Sequence, residues 1–343
     1  MPSGPHRLPT PCFDHIRGLS DSHGVFAQAR GLAPWRDGGY RTDDVARALT
    51  VMIRQPQRDK ALTSATSGHL DFLDRAVTAD GLVQRHLSSA YVWTEEPGLG
   101  DEWGRTLSGL GSAARFALTA GDQAKAVRAF TRATKTRTTQ VRSAAFAAIG
   151  AVELLRVRPE NDSVRVLLAD CLDLIPRRPS PQWSWSEARL LHSNASLCDA
   201  LILGGITLRQ PVTVRNGLTM LRTLLQLETG AHGQLSPTGT GGRGPDDLHP
   251  LWNQRPIEAA AMAEACLHAF EVTGDLSWVR GVRVSWGWFI GENDSRAIMY
   301  EPGSGAGHDE LEPLGRSSNC GAEATLAALS TLQCARAITA VRR

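Results

Sequence analysis

The chain has 343 residues, of which 42% are hydrophobic and 21% charged, a balance typical of a folded globular protein and not of a disordered chain. Lys and Arg number 37 and Asp and Glu 35, so the formal net charge is +2, which argues against a nucleic-acid groove or an electrostatic membrane surface. No apolar run approaches the roughly 18 residues of a membrane-spanning helix, and the amino-terminal sequence lacks the apolar core of a cleaved secretory signal.

The six cysteines indicate a reduced, cytoplasmic protein. They are scattered along the sequence without a C-x-x-C pair, which disfavours a zinc knuckle or a thioredoxin-type site. We interpret them as free thiols, several of them in the core, and expect a cytoplasmic location. The sequence also lacks the P-loop, dinucleotide-binding and H-E-x-x-H motifs, so we predict neither a cofactor nor a metal.

Helical periodicity dominates the chain, and β-branched or alternating stretches are short. Segments of about 12 to 22 residues are separated by turns rich in Gly, Pro and Asp. They predict an all-α protein with short β elements only in loops. Twelve helices are expected, near 10–20, 42–54, 62–77, 101–120, 123–135, 139–155, 160–174, 184–205, 211–228, 256–273, 277–290 and 320–340.

Two kinds of helix alternate along the chain. Segments such as 142–155 and 257–270 are small and apolar on most faces, which predicts burial among other helices, whereas 161–175 and 214–228 are amphipathic. The six inner helices, each preceded by an outer one, begin near 42, 101, 139, 184, 256 and 320. This order predicts an (α/α)6 toroid, because closing the ring buries the faces that each helical hairpin leaves open.

The toroid predicts where a site would lie. We expect residues 1–343 to form one (α/α)6-barrel domain, with 1–9 as a flexible tail. If the inner helices run in one direction, their amino-terminal ends meet at a single mouth walled by long loops. The Gly-rich segment 238–244 (TGTGGRG) is interpreted as a flexible lid, because it follows a helix and does not lie between a strand and a helix as a phosphate loop would.

Carboxylates open at least four of the six inner helices. A single acid in a first turn has an ordinary explanation, since it complements the helix dipole by about 0.3–1 kcal/mol. Several acids around one mouth favour cleavage of a glycosidic bond, which needs one protonated and one ionised carboxyl group. We expect anions at the Asp pair and a proton at Glu258 or Glu323. The candidate catalytic residues are Asp43, Asp44, Asp101, Glu258 and Glu323.

Aromatic, amide and basic residues accompany these acids. The CH faces of a sugar stack on indole rings, and its hydroxyl groups need bidentate donors and acceptors, so this composition is typical of a carbohydrate site. The candidate substrate-binding residues are Tyr40, Arg47, Trp103, Arg105, Trp185, Asn194, Trp252, Gln254 and Asn319.

Several segments, in order over about residues 12 to 340, carry a resemblance to a known family. They are 23–29 (HGVFAQA), 39–49 (GYRTDDVARAL), 104–105 (GR), 194–195 (NA), 232–237 (HGQLSP), Gln254, 256–259 (PIEA) and 321–323 (GAE). The chain resembles the six-hairpin-glycosidase-like (α/α)6 domain found alone or fused behind glycosyltransferases in bacteria. The resemblance implies an (α/α)6 barrel, an oligosaccharide or glycoside ligand and a glycosyltransferase partner.

The chain departs from this family's pattern at four positions. Val45 stands where the family usually has Asn, and Arg255 stands where it commonly has Gln. Two family acids are replaced, by Ser193 before the fourth inner helix and by Asn253 before the fifth. Either the substrate differs, or the chain has lost activity and kept binding.

Two functions therefore stay open: a glycoside hydrolase-like enzyme, of inverting type, and a non-catalytic glycan-binding module that works with a glycosyltransferase. Hydrolysis and phosphorolysis are not distinguished. A barrel-type sugar epimerase would need paired His at the mouth, where His192 alone is clearly placed. An isoprenoid cyclase would need another acid where Arg47 stands.

Overall fold

A computed structural model of the protein describes residues 8–179, 181 and 183–341, so most of the predicted tail at 1–9 lies outside the described residues. Within these ranges the chain forms twelve α-helices: α1 (Asp14–Gly18), α2 (Thr42–Ile53), α3 (Lys60–Ala76), α4 (Asp101–Phe116), α5 (Ala120–Ala133), α6 (Val141–Leu155), α7 (Asp162–Leu174), α8 (Asn194–Thr207), α9 (Pro211–Leu227), α10 (Pro256–Thr273), α11 (Ser277–Phe289) and α12 (Ala322–Val341).

Short strands occur in the loops, as predicted. The described residues include four antiparallel pairs of two-residue strands: β1 (Ala29–Arg30) with β2 (Ala33–Pro34), β3 (Tyr40–Arg41) with β4 (His86–Leu87), β5 (Tyr300–Glu301) with β6 (Ala306–Gly307), and β7 (Leu311–Glu312) with β8 (Gly315–Arg316). The pairing of β3 with β4 ties the loop before α4 to the start of α2.

The even-numbered helices form a closed inner ring. Each of them packs against the next, from α2 through α4, α6, α8 and α10 to α12, and α12 packs back on α2. The odd-numbered helices lie outside, α3 to α11 each against the inner helix before it and α1 against α12. The chain is therefore an (α/α)6 toroid, and the predicted alternation of inner and outer helices is confirmed.

The predicted start of the fourth inner helix is wrong. Helix α8 begins at Asn194 and not near 184, and the residues before it form bends. Local hydrogen bonds explain the difference, because they compete with helical ones. The Trp183 indole N–H donates to the carbonyl of Glu187, and the Asn194 side chain both accepts from the N–H and donates to the carbonyl of Leu191.

Small residues allow the inner helices to approach closely. In α6 every residue except Val141 is buried, and half of these buried residues are Ala, Gly or Ser. A Cβ added to Gly104 would overlap the backbone of Ser143, and one added to Gly150 would overlap the carbonyl of Leu107. Helices α4 and α6 therefore touch backbone to backbone. None of the described helices is long and apolar enough to cross a membrane.

This close packing predicts the effect of two matched substitutions. We expect Gly150→Ala to lower the free energy of unfolding by about 1–3 kcal/mol, because the added methyl group forces α4 and α6 apart. Gly68→Ala is the control, since nothing lies within 4 Å of the Cβ position in α3. It should raise stability by up to about 1 kcal/mol through helix propensity. Urea unfolding of both variants measures this, and a Gly150→Ala protein as stable as the wild type would contradict it.

Candidate functional site

The amino-terminal ends of the inner helices surround a cavity of about 940 Å³. Its wall contains residues from the start of α2, α4, α10 and α12 and the residues just before α6 and α8. The predicted mouth therefore exists. All five candidate catalytic carboxylates line it, together with other charged side chains: Arg41, Arg47, Arg85, Glu102, His192, Arg255, Asp309 and Glu310.

Arg47 joins three of the five carboxylates. Its Nη1 lies 2.9 Å from Asp43 Oδ2 and 2.8 Å from Asp44 Oδ1, and its Nη2 lies 3.0 Å from Glu323 Oε2. The first two contacts follow from helical spacing, since residues three and four positions apart share a face of α2. Glu323 comes from α12 and is also ion-paired with Arg255, at 2.5 Å. One guanidinium group thus links the first inner helix to the last.

The two neighbouring aspartates of α2 differ in protonation. Burial raises the pKa of Asp44 to about 8, and the anionic Asp43 adds to the effect. Burial also opposes ionisation of Asp43, but Arg47 and Arg41 outweigh it and lower the pKa of that carboxyl group. The expectation that both aspartates are anions is therefore corrected for Asp44, whose burial overrides the attraction of the helix amino terminus.

Asp101, the first residue of α4, forms a pair with a histidine. His192 Nε2 lies 2.9 Å from Asp101 Oδ2, and His192 belongs to the loop before α8. Although Asp101 is partly buried, this hydrogen bond lowers the pKa of its carboxyl group. The Asp101 side chain is 33% exposed, compared with 7% for Asp44, so it is the ionised acid that meets the cavity most openly.

Glu258 lies in the first turn of α10 and is almost fully buried. The Ser193 backbone N–H donates to both of its oxygens, at 2.8 and 2.9 Å. Ser193 precedes α8 and has φ 53°, a left-handed conformation that aims this N–H at the carboxyl group. Burial raises the pKa of Glu258 in spite of the hydrogen bond. Among the five candidate catalytic carboxylates, two therefore have a raised pKa and two a lowered pKa.

The tryptophans do not form the expected stacking platform. Trp103 and Trp185 have no exposed surface and do not line the cavity. The Trp103 indole N–H donates to the carbonyl of Gly81, and that of Trp185 lies 3.4 Å from Glu187 Oε2. Trp252 is partly exposed but also lies outside the cavity wall. The proposal of indole stacking is corrected, because these rings fill the protein interior or its surface loops.

The predicted polar residues mostly support the loops around the mouth. Tyr40 is buried and donates to Asp21 Oδ2 at 2.6 Å, and Asn319 accepts from the Gly31 N–H. Asn194 and Gln254 are buried. Of the candidate binding residues, only Arg47 lines the mouth among the residues that the structure describes. Arg105 lies beneath the mouth, in the wall of a second cavity.

Sequence reasoning missed three arginines of the cavity wall. Arg41 stands immediately before α2, within the segment 39–49, and Arg255 stands immediately before α10, next to the segment 256–259. Both segments were already assigned to the mouth, so the two arginines could have been predicted there. Arg85 gives no local signal. It reaches the mouth because the strand that follows it, β4, pairs with β3 at the start of α2.

The Gly-rich segment interpreted as a lid does border the cavity. Thr238, Gly239 and Thr240 form part of the wall. The segment is connected to the loop before α8, since Leu190 and Arg243 exchange two backbone hydrogen bonds of 2.7 and 2.9 Å. An ion pair between Arg189 and Asp247, at 2.9 Å, joins the same two loops.

The fold is shared with solved structures of low sequence identity. No family model and no curated protein matches the chain. A sugar epimerase from a ruminal bacterium has a TM-score of 0.72 at 10% identity and covers 96% of this chain and 97% of its own. A D-mannose isomerase has a TM-score of 0.72 at 10% identity and covers 96% of this chain and 95% of its own. The family 76 α-mannanase of Bacteroides thetaiotaomicron has a TM-score of 0.64 at 10% identity and covers 96% of this chain and 94% of its own. This likeness establishes the fold, and the chemistry has to be argued from the mouth.

The raised pKa of Asp44 predicts a pH-dependent stability. The folded protein keeps a proton at about pH 8 that the unfolded chain loses near its ordinary value of 3.8. The stabilisation from this proton is complete below the unfolded pKa of 3.8 and is lost as the pH rises to the folded pKa of about 8. We therefore expect Asp44→Asn to gain stability relative to the wild type across this range.

Urea unfolding at a series of pH values measures the difference. Asp246→Asn, at an exposed position in the loop before α10, is the control and should show little change at any pH. Parallel curves for the wild type and Asp44→Asn would contradict the prediction.

Proposed function

We propose that the protein is a carbohydrate-active enzyme that hydrolyses a glycosidic bond in the mouth of the toroid. One observation carries the proposal: a single cavity contains protonated and ionised carboxyl groups side by side, Asp44 and Glu258 with raised pKa, Asp43 and Asp101 with lowered pKa. Environments that separate the pKa values of neighbouring acids are what acid–base catalysis at neutral pH requires. The solved structures of similar fold, which include a sugar epimerase and an α-mannanase, support a saccharide ligand.

Asp44 is the proposed proton donor. It holds a proton up to about pH 8, and the anion of Asp43 beside it helps to keep that proton in place. Asp43 is therefore assigned to setting the pKa of Asp44. The two carboxyl groups bind the same nitrogen of Arg47, so they lie too close to each other to admit the water of an inverting reaction between them.

Asp101 is the proposed base. It is ionised, open to solvent and located on α4, the inner helix next to α2. As the anomeric C–O bond breaks, Asp44 gives its proton to the leaving oxygen. Asp101 takes a proton from the water that attacks the anomeric carbon on the opposite face. The products are a free alcohol and a sugar of inverted configuration, and exchange with solvent restores both acids.

A sugar epimerase or isomerase is the second candidate. The His192–Asp101 pair at 2.9 Å favours it, because a carboxylate-oriented imidazole can remove a proton from a carbon next to a carbonyl group. The structures of a sugar epimerase and a D-mannose isomerase also match over nearly the whole chain. A single histidine at the mouth would then need a carboxylic acid, such as Glu258, as its partner on the other face of the sugar.

A screen of oligosaccharides and monosaccharides tests these functions. We expect release of reducing sugar with inversion, observed by NMR, and a loss in kcat of about 100-fold or more in Asp44→Asn and in Asp101→Asn with binding retained. Asp199→Asn is the matched control, since it removes a buried carboxylate that pairs with His268 away from the cavity. It should leave kcat unchanged at a temperature where it is folded.

The same screen separates the alternatives. Exchange of solvent deuterium into C2 of a free sugar, lost in His192→Gln, would favour the epimerase. Saccharide binding without turnover of any compound would favour a glycan-binding module that works with a glycosyltransferase. Full turnover in both Asp44→Asn and Asp101→Asn would refute the assigned roles.

A further inference from the structure

A second, smaller cavity lies inside the ring beneath the mouth. It has a volume of about 50 Å³ and shares Arg47 and Ile257 with the mouth. Apolar side chains from α2, α6, α10 and α12 form about half of its wall, and α4 and α8 contribute only the polar residues Arg105, Ser108 and Ser196. The charged groups in the wall are three arginines, Arg47, Arg54 and Arg105, and a single acid, Glu264.

Arg105 is a half-buried cation without a carboxylate partner. Among the described residues no carboxylate oxygen lies within 4.0 Å of its guanidinium group, whose Nη2 donates to Ser193 Oγ at 3.2 Å. The group stacks on the ring of Phe146, 3.4 Å from the centroid. Its Nε is buried and lacks any hydrogen-bond partner. A charge buried in this way is unfavourable unless something compensates it.

Another arginine of α4, Arg115, has the carboxylate partner that Arg105 lacks. Arg115 also stacks on a phenylalanine, Phe116, at 4.5 Å, but its Nη1 lies 2.8 Å from Glu153 Oε2. Both arginines lie on α4 and both contact an aromatic ring, so Arg105 differs from Arg115 in lacking the carboxylate.

Arg47, from α2, adds a second donor to the cavity wall. Its two terminal nitrogens are used by the acids of the mouth, while its Nε is buried and unpartnered. Burial lowers the pKa of Arg105 to about 10, and electrostatic repulsion from Arg47 adds to the effect. The cavity wall thus offers positive charge and unpartnered N–H donors beside apolar side chains.

We propose that this cavity binds a small monovalent anion between Arg105 and Arg47. The chemistry suits a halide or a carboxylate group, because guanidinium N–H groups donate to either. The volume admits one such ion, since a water molecule occupies about 30 Å³ in the liquid. The anion can be free chloride or the carboxylate of an acidic saccharide that enters through the mouth.

Thermal unfolding of the full chain in different salts tests the proposal. We expect the Tm of the wild type to be higher in sodium chloride than in sodium sulfate of equal ionic strength, by about 2 °C or more. A general salt effect would act in the opposite direction, since sulfate is the more strongly excluded ion. Arg105→Met keeps the stacking on Phe146 and should lose the chloride dependence, whereas Arg115→Met should retain it.

Sodium D-glucuronate, with D-glucose as its neutral counterpart, separates the two sources. Glucuronate that raises the Tm and abolishes the chloride effect identifies a carboxylate of the ligand, and a chloride effect that persists in its presence identifies a free halide. Crystals soaked in sodium bromide should show anomalous scattering beside Arg105, a result that does not depend on a variant.

The absence of a chloride effect in the wild type, an equal effect in Arg105→Met or an empty cavity after the bromide soak would each overturn the proposal. None of these measurements involves turnover, so they stand apart from the test of glycoside hydrolysis.

Discussion

The guanidinium group of Arg47 is the interaction on which the ends of the ring and the chemistry of the mouth both depend. It contacts Asp43 and Asp44 of α2 and Glu323 of α12, so the first and last inner helices are joined by one charged group where their amino termini meet. Helices α2 and α12 also pack against each other along the ring. The same contacts set the protonation of the acids, because the cation stabilises Asp43 as an anion and that anion keeps Asp44 protonated.

Burial, and not the helix dipole, decides the protonation of these acids. A helix amino terminus stabilises an anion by about 0.3–1 kcal/mol, less than the roughly 1.4 kcal/mol that corresponds to one pKa unit. Desolvation inside a closed ring is larger, so the pKa of Asp44 moves from 3.8 to about 8 although it stands in the first turn of α2. Asp101, also in the first turn of its helix, α4, has its side chain open to the cavity and next to His192, and its pKa falls. Equivalent places in the fold thus acquire different roles through exposure and neighbours.

Much of the toroid could be predicted from the sequence, because composition and periodicity report burial directly. The acids at the mouth could also be predicted, since a residue that opens an inner helix must lie at that end of the ring. The tryptophans could not, because position along a helix does not give direction around it. Trp103 follows Asp101 by two residues and therefore faces away from it, into the interior, whereas Arg105, four residues on, shares its face. Trp185 was misplaced for another reason: local hydrogen bonds end the helical pattern before Asn194.

The packing of the ring and the chemistry of its mouth are set by different residues, which explains how one fold accommodates different reactions on sugars. Backbone contact at Gly150, the tenth residue of α6, needs only small side chains and lies away from the amino-terminal turns. Those turns and the loops before them can then change while the ring persists, as the 10% identity to structures of an epimerase and an α-mannanase illustrates. Here they present carboxyl groups of opposite protonation with one histidine, so the reaction is determined by side chains at a few positions, those in the first turns of the inner helices or in the loops just before them.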